Sequence, residues 1–280
     1  MRIGGKLFKD VSTPEKWIQE VKRFGYRTSV CPVDAASSDI EIVAFRQAAK
    51  TNDILISEVG AWSNPISPDD RIQKAAISHC KGQLELAEKM RAVCCVNIAG
   101  SLSEDFDGPH PDHFHKDTFA LVVDTVREII DDVKPVKTKY ALEMLPWMIP
   151  DGTDSYEALV KAIDRDAFAV HFDPVNMLTS PRAFYHNADI IRDFVKRLGH
   201  LIVNVHVKDI ALSGKLTVHL DEVEPGLGGL NYPVLLKELH QLGNPDLPLM
   251  LEHYEHESSY VNGAAFIRKV AKEKGITLDE

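Results

Sequence analysis

The sequence has no apolar run that approaches the ~20 residues a helix needs to cross a membrane. The N-terminal segment Met1–Lys6 has no apolar stretch of signal-peptide length. We therefore expect a cytoplasmic protein without a membrane partner.

An excess of positive charge is also missing. The 32 Lys and Arg residues are outnumbered by 42 Asp and Glu residues, which gives a formal net charge of −10 at pH 7. Proteins that bind nucleic acid usually carry the opposite balance, because phosphate groups attract positive charge. We expect no nucleic-acid partner and a small-molecule ligand instead.

Cysteines are few, and their spacing fits neither a metal site nor a redox motif. Cys31, Cys80, Cys94 and Cys95 lack the short repeated separations of thiolate sites, and adjacent strand residues point to opposite faces. The sequence predicts four reduced thiols in the core, with a nucleophilic cysteine as the alternative.

The 280 residues alternate short apolar runs with amphipathic stretches from end to end. This alternation predicts repeated strand–helix units and a parallel sheet. Eight such units suit a closed α/β barrel, the (β/α)8 TIM barrel, which typically needs about 250 residues. We predict one barrel domain over residues 1–280. The predicted strands are Arg2–Gly5, Tyr26–Cys31, Ile54–Val59, Val93–Ile98, Tyr140–Glu143, Ala169–Asp173, Leu201–Val207 and Leu249–Glu252.

An open doubly wound sheet is the rival architecture. It usually has fewer strands and a glycine-rich first turn, and Gly4-Gly5 is no dinucleotide fingerprint. The first predicted helix has clear ends, since Thr13 can cap it, Pro14 suits its first turn and Gly25 stops it. The other predicted helices are Ile40–Ala49, Pro68–Met90, Thr118–Asp132, Tyr156–Ile163, Ala188–Leu198, Tyr232–Leu242 and Ala264–Lys274.

Two irregular stretches, residues 100–116 and 211–231, are predicted to be loops at the barrel mouth, where binding groups concentrate. The first contains His110, His113 and His115. No carboxylate stands at helical spacing from them, so we predict a mobile lid there rather than a second metal site.

Four polar residues stand at the carboxyl ends of the last four predicted barrel strands: Glu143, Asp173, His206 and Glu252. Barrel active sites lie at this end. Three carboxylates gathered there would repel one another by roughly 4 kcal/mol per pair at about 4 Å and an effective dielectric near 20. A divalent cation removes that conflict. The oxygen-rich set favours Mn²⁺, with Mg²⁺, Co²⁺ or Zn²⁺ as alternatives.

Strand alternation supports the same four residues, since all four occupy positions predicted to face the barrel interior. The alternative is that they are helix caps and hydrogen-bonded polar groups at strand ends. The opposite face carries apolar residues that we expect to pack on the helices: Leu142, Phe172, Val203, Val205, Val207 and Leu251.

Five short segments carry a resemblance to a known family: Ala141–Glu143, Phe172-Asp173, Val205–Asp209, Pro225–Gly228 and Leu251-Glu252. Through these segments the chain resembles the xylose-isomerase-like barrels over essentially its whole length. That family includes ketose 3-epimerases, inosose-processing enzymes and hydroxypyruvate isomerase. The resemblance implies that the two glutamates, the aspartate and the histidine bind one divalent cation, usually manganese, cobalt or magnesium.

Two positions depart from the ketose 3-epimerases of that family. Those enzymes carry a histidine three residues after the metal-binding aspartate and an arginine about six residues after the metal-binding histidine. Asn176 and Leu212 stand at these positions here. Both groups handle substrate hydroxyls in the family, so the resemblance implies the metal site without implying an epimerase substrate.

These features predict a metal-dependent isomerase or epimerase of sugars or polyols, which moves protons through a metal-stabilised enediolate. Glu143 and Glu252 are the predicted catalytic bases, one removing a proton and the other returning it. Five further residues are predicted to bind substrate: Lys208, His171, Asn176, Glu58 and Trp62.

Other interpretations remain. Lys208 can instead form a salt bridge, His171 can be an interior histidine and Trp62 can belong to the core. The main alternative function is a metal-dependent lyase or dehydratase on a keto-sugar, inosose or glycoside. A DNA-repair nuclease and a non-catalytic sugar sensor are further alternatives, and the sequence leaves open whether the chain forms a homo-oligomer.

Overall fold

Eight parallel strand segments, called staves here, form the wall of a barrel in the computed structural model of the chain, which describes residues 1–278. Seven strands pair in the order β1-β11-β8-β7-β6-β5-β4, and β2 pairs with β3, which runs on into β4. The amide of Arg27 donates to the carbonyl of Ile3 over 3.1 Å, which joins β2 to β1 and closes the wall. The strands are β1 Arg2–Gly4, β2 Thr28–Ser29, β3 Leu55–Ile56, β4 Glu58–Gly60, β5 Cys94–Asn97, β6 Lys139–Leu142, β7 Phe168–Phe172, β8 Ile202–Val207, β9 Asp209–Ser213, β10 His219–Val223 and β11 Pro248–Leu251.

Helices follow the staves in turn, as predicted. Helix α1 begins after Thr13, whose hydroxyl oxygen accepts a hydrogen bond from the Lys16 amide over 3.3 Å, and it buries Trp17 and Val21 completely. The helices are α1 Pro14–Arg23, α2 Asp39–Thr51, α3 Asp70–Met90, α4 Lys116–Val133, α5 Thr153–Ile163, α6 Pro181–Tyr185, α7 Asn187–Leu198, α8 Tyr232–Gln241 and α9 Glu257–Glu273, with 3₁₀ turns at Pro111–Phe114 and Gly199–Leu201.

The main hydrophobic core lies between the staves and the helices, and a small second cluster fills the barrel interior. Cys94, Val96 and Ala141 form this interior cluster. Val203 packs against it, so the prediction that Val203 faces the helices is wrong. The cause is a β-bulge: Val170 pairs with Ile202 and His171 with Asn204, which leaves Val203 as an extra residue in β8. The other residues predicted to face the helices belong to the main core: Leu142, Phe172, Val205, Val207 and Leu251.

The stretch 211–231 is not the irregular loop that the sequence predicts. Strands β9 and β10 form an antiparallel hairpin, paired from Ser213 and His219 to Asp209 and Val223. Its side chains are mostly half-buried or exposed. Without a buried face, the hairpin has no apolar alternation that would identify it in the sequence.

Two other predictions have an outcome in the structure. All four cysteines are free. Cys80, Cys94 and Cys95 are buried as predicted, whereas Cys31 is only half-buried, so the predicted core position holds for three of the four. Within residues 1–278 none of the helices is both long and apolar enough to span a bilayer.

Candidate metal centre

The four predicted ligands meet at one end of the barrel. Glu143, Asp173 and Glu252 each follow directly after a stave, and His206 lies near the end of β8. One ligand atom from each residue lies within 4.8 Å of those of the other three. The Nδ1 atom of His206 is 3.0 Å from Glu143 Oε1 and 2.7 Å from Glu252 Oε2. Parallel strands end at the same rim, which is why residues far apart in sequence converge here.

Asp173 is completely buried, and its two oxygens have different surroundings. Oδ1 accepts hydrogen bonds from the amides of Val175 and Asn176 over 2.9 and 3.2 Å. Oδ2 lies 2.6 Å from Lys208 Nζ but has no hydrogen bond of suitable geometry. Burial raises the pKa of Asp173 to about 7, against the opposing charge of Lys208 and with the help of the neighbouring carboxylates. Such a carboxylate is one that a cation would stabilise in its charged form.

Lys208 is a buried cation within this acidic cluster. Its Nζ atom lies 2.6 Å from Asp173, 2.5 Å from Glu252 and 3.0 Å from Glu222. Burial by itself would lower the pKa of Lys208, but the carboxylates, Asp173 first, raise it well above its usual value. The lysine is therefore charged and offsets part of the repulsion among the carboxylates. It occupies the salt bridge that is one of its two predicted roles.

His206 has a carboxylate on each side of its ring. While Nδ1 faces Glu143 and Glu252, Nε2 lies 3.4 Å from Glu58 Oε2. The same Glu58 oxygen lies 3.4 Å from His171 Nε2 and accepts a hydrogen bond from the Asn204 amide.

Glu58 is ionised although it is buried. Burial would raise the pKa of Glu58, but His206 and His171 outweigh it and lower the pKa to about 2. Glu58, His171 and His206 also form a second set of potential ligand atoms within 4.8 Å of one another. The two sets share His206, so the Glu58 carboxylate lies behind a histidine that could ligate a metal.

The carboxylate of Asp209 holds the glycine loop that follows the hairpin. It accepts hydrogen bonds from the amides of Ile210, Gly226, Gly228 and Leu230 over 2.8 to 3.2 Å. A Cβ atom at Gly228 would collide with the Ile210 carbonyl oxygen, so glycine is required there. The two family-like segments, Val205–Asp209 and Pro225–Gly228, are thus joined through this carboxylate.

A cavity of about 700 Å³ opens above the four ligands. Glu143, His206 and Glu252 line it, as do Glu58 and Trp62, two of the residues predicted to bind substrate.

The other three predicted substrate residues are absent from the wall of that cavity within the described part of the chain. Lys208 and His171 are fully buried, and the Asn176 side-chain amide donates to the Met144 carbonyl oxygen over 2.9 Å. Substrate binding by these three stays a prediction.

His253 is a site residue that no sequence pattern singles out. Its Nδ1 atom lies 2.9 Å from Glu222 Oε2, its Nε2 atom lies 3.4 Å from Glu252 Oε2, and it lines the cavity. Its backbone has a φ of 65°, in the left-handed region that non-glycine residues rarely occupy. The one available signal is its position next to a strand-end glutamate.

The three histidines of the 100–116 stretch are dispersed into separate structural roles. His113 is buried, with Nδ1 2.7 Å from the Trp147 carbonyl oxygen and Nε2 accepting from the Leu102 amide over 3.0 Å. His110 and His115 each accept a hydrogen bond at a helix start. Neither of the two potential metal clusters formed by residues 1–278 includes these histidines.

Comparison with known proteins identifies the fold. The family model for the xylose isomerase-like TIM barrel matches residues 18–270. No curated protein sequence is significantly similar to this chain.

Three solved structures illustrate the range of similar barrels. D-psicose 3-epimerase from Clostridium cellulolyticum has a TM-score of 0.71 at 16% identity, covering 99% of this chain and 100% of its own. The probable 3-DHS dehydratase from Bacillus anthracis has 0.68 at 15%, covering 96% and 98%. Endonuclease IV from Thermus thermophilus has 0.74 at 12%, covering 98% and 100%. At these identities the likeness concerns the fold, and the three names denote three different reactions.

Proposed function

This chain belongs to the xylose isomerase-like TIM barrel family, and from that premise we propose that it is a divalent-metal-dependent isomerase or epimerase of sugars or polyols. One observation carries the proposal: the ligand atoms of Glu143, Asp173, His206 and Glu252 lie within 4.8 Å of one another at a cavity of about 700 Å³. A cluster of this kind beneath an open cavity suits an ion that contacts both protein and substrate.

The donor set fits a hard divalent cation. Three carboxylates and one imidazole supply oxygen and nitrogen ligands, and Asp173 Oδ2 is buried without a hydrogen bond. We propose Mn²⁺ as the preferred ion, with Mg²⁺, Co²⁺ or Zn²⁺ as substitutes. When bound, the cation would act as a Lewis acid that polarises the substrate carbonyl and acidifies the neighbouring C–H group.

Glu143 and Glu252 are proposed to move the proton. Both line the cavity. Burial would raise the pKa of each, yet the charge on His206 outweighs it, so that the pKa of Glu143 is lowered and that of Glu252 lies well below its usual value. Both are therefore ionised while His206 is charged, and a bound cation would replace that charge when His206 gives up its proton to bind it. If one removes the proton and the other returns it to the opposite face of the same carbon, the result is epimerisation; return to the neighbouring carbon gives isomerisation.

Glu58 is proposed to position His206 rather than to react. With Glu58 Oε2 3.4 Å from Nε2, the ring keeps Nδ1 directed at Glu143 and Glu252. A carboxylate behind a histidine fixes the tautomer and raises the basicity of the ligating nitrogen.

The alternatives differ in how well these residues support them. A lyase or dehydratase on a keto-sugar, inosose or glycoside would use the same bases and differ only in expelling a leaving group, so reaction products must separate it from an isomerase. A nuclease is disfavoured, because the net charge of −10 gives no sign of the basic surface that a phosphodiester backbone attracts, and one of the four proposed ligands is a histidine. A sugar sensor would have no need of two ionised glutamates at the ligand.

The test is incubation of the Mn²⁺-loaded protein in D₂O with a panel of ketoses, inososes and keto-glycosides, followed by NMR. We expect deuterium to enter a carbon next to the carbonyl of at least one compound, with formation of an epimer or isomer. Deuterium uptake accompanied by loss of a substituent would favour the lyase. If no compound exchanges although the metal is bound, the proposed function is wrong.

A further inference from the structure

The cavity above the metal ligands has two chemically different sides. Glu58, Glu143, His206 and Glu252 belong to staves β4, β6, β8 and β11 or directly follow them, and they form the polar side of the cavity at the stave ends. The segments that follow β1, β2, β4, β5 and β6 supply the other side, which is mainly apolar. The partly exposed apolar side chains of the cavity are Leu7, Val11, Val30, Pro32, Trp62, Phe106 and Leu145.

The polar residues on the apolar side are few and offer little to a sugar. Ser29 is buried and already bonded to the Trp17 indole over 3.2 Å. Lys6 and Asp107 are exposed at the rim, where Lys6 lies over the ring of Phe8. A free sugar could place one C–H face on part of this wall, but the hydroxyl groups around its edge that faced the wall would lose their hydrogen bonds to water.

Large apolar side chains are exposed at the rim of this cavity. Val30 is 41% exposed, Trp62 43% and Phe106 45%. Single exposed apolar residues are common, but several that converge on one cavity beside a catalytic cluster indicate contact with an apolar ligand group.

Trp62 is held in place by the backbone next to it. A Cβ atom at Gly60 would lie 2.5 Å from the indole Nε1 of Trp62 and 2.9 Å from Cδ1. The indole therefore lies directly against the Gly60 backbone, where a larger residue would displace it. A fixed aromatic ring at a cavity wall is suited to stacking against a flat ligand group.

We propose that the substrate is a keto-glycoside with an apolar, ring-shaped aglycone. The hydroxy-ketone sugar contacts the carboxylate side, and the aglycone packs on the apolar side with Trp62 as its main contact. The cavity volume of about 700 Å³ agrees, since it lies in the range of roughly 300–1,000 Å³ that proteins use for drug-sized ligands. The sugar half of this inference rests on the proposed function, whereas the aglycone half rests on the cavity alone.

The first test compares the phenyl and methyl glycosides of one keto-glucose as substrates, by deuterium exchange with the Mn²⁺-loaded protein. We expect kcat/KM to be about tenfold higher for the phenyl compound. Trp62→Ala and Gly60→Ala should abolish most of that preference, and Trp62→Phe should retain it. Tyr185→Ala is the matched control, because Tyr185 is 74% exposed and lies away from the cavity wall.

The second test measures binding without turnover, by calorimetry with plain phenyl and methyl glucosides. Tighter binding of the phenyl compound, lost in Trp62→Ala, supports the inference even if no keto-sugar reacts, in which case only the proposed reaction fails. Equal kcat/KM and equal affinity for the two glycosides would overturn the inference while leaving the reaction intact.

Discussion

Several buried carboxylates contact His206. Some of these contacts can be predicted from the sequence, and others cannot. The contacts of His206 with Glu143 and Glu252 are predictable, because all three stand at the carboxyl ends of staves, which meet at the same rim of the barrel. Its contact with Glu58 is not, because Glu58 lies on a stave across the barrel and meets His206 only once the wall has closed. The contacts of His253 cannot be predicted from the sequence either, since they depend on the hairpin residue Glu222.

Removing the charge behind His206 tests the positioning role of Glu58. We expect Glu58→Gln to weaken Mn²⁺ binding about 10- to 100-fold, because the His206 ring loses the carboxylate that fixes its tautomer. Calorimetric titration with Mn²⁺ gives the affinity. Glu128→Gln is the control, since Glu128 is a surface partner of Lys81. Unchanged affinity in Glu58→Gln would show that Glu58 does not support the ligand.

Metal binding should weaken as the pH falls. The pKa of Asp173 is about 7 and that of His206 is raised well above its usual value, so protons compete with the cation for both. Both groups must lose a proton to bind it, so affinity rises with pH through neutrality and binding releases protons. Calorimetry in buffers of different ionisation enthalpy measures the release. Binding that takes up no proton and releases none between about pH 6 and pH 8 would contradict this prediction.

At the scale of elements, repeating patterns are predictable and local interruptions are not. The eight strand–helix units follow from alternating apolar runs, and the start and the end of α1 follow from Thr13 and Gly25 respectively. The bulge at Val203 leaves no trace in composition, because valine suits either face of a strand. The hairpin β9–β10 escapes detection because it is held by backbone pairing and by the loop that Asp209 organises.

Asp209 should be a stability residue of this hairpin and loop. Asp209→Ala removes the acceptor for four amides, so we expect a loss of about 3 kcal/mol in the free energy of unfolding, measured by urea titration. Asp209→Asn keeps one oxygen and should lose less. Asp221→Ala, an exposed change on β10, is the control. Equal stability of the Ala variant and the control would refute this role.

At the scale of the whole molecule, the barrel places several acidic residues of the chain close together. The net charge of the chain is −10, and five of its carboxylates lie around His206 and Lys208: Glu58, Glu143, Asp173, Glu222 and Glu252. Burial, the closed wall and this concentration of charge together favour a bound cation. The fold could be predicted from the sequence because it follows from periodicity. The convergence of Glu143, Asp173, His206 and Glu252 could be predicted because it follows from the fold. The two-sided cavity could not be predicted from the sequence, since its apolar side is formed by loops.

The most direct test of the central claim is the metal content of the purified protein after incubation with Mn²⁺ and dialysis, measured by mass spectrometry. The account predicts one ion per chain in the wild type and in Cys31→Ser, a cavity residue that is not a ligand. It predicts less than about a tenth of that content in His206→Ala and Glu143→Gln, with an unchanged fold by circular dichroism. Full occupancy in both ligand variants, or no bound ion in the wild type, would contradict it.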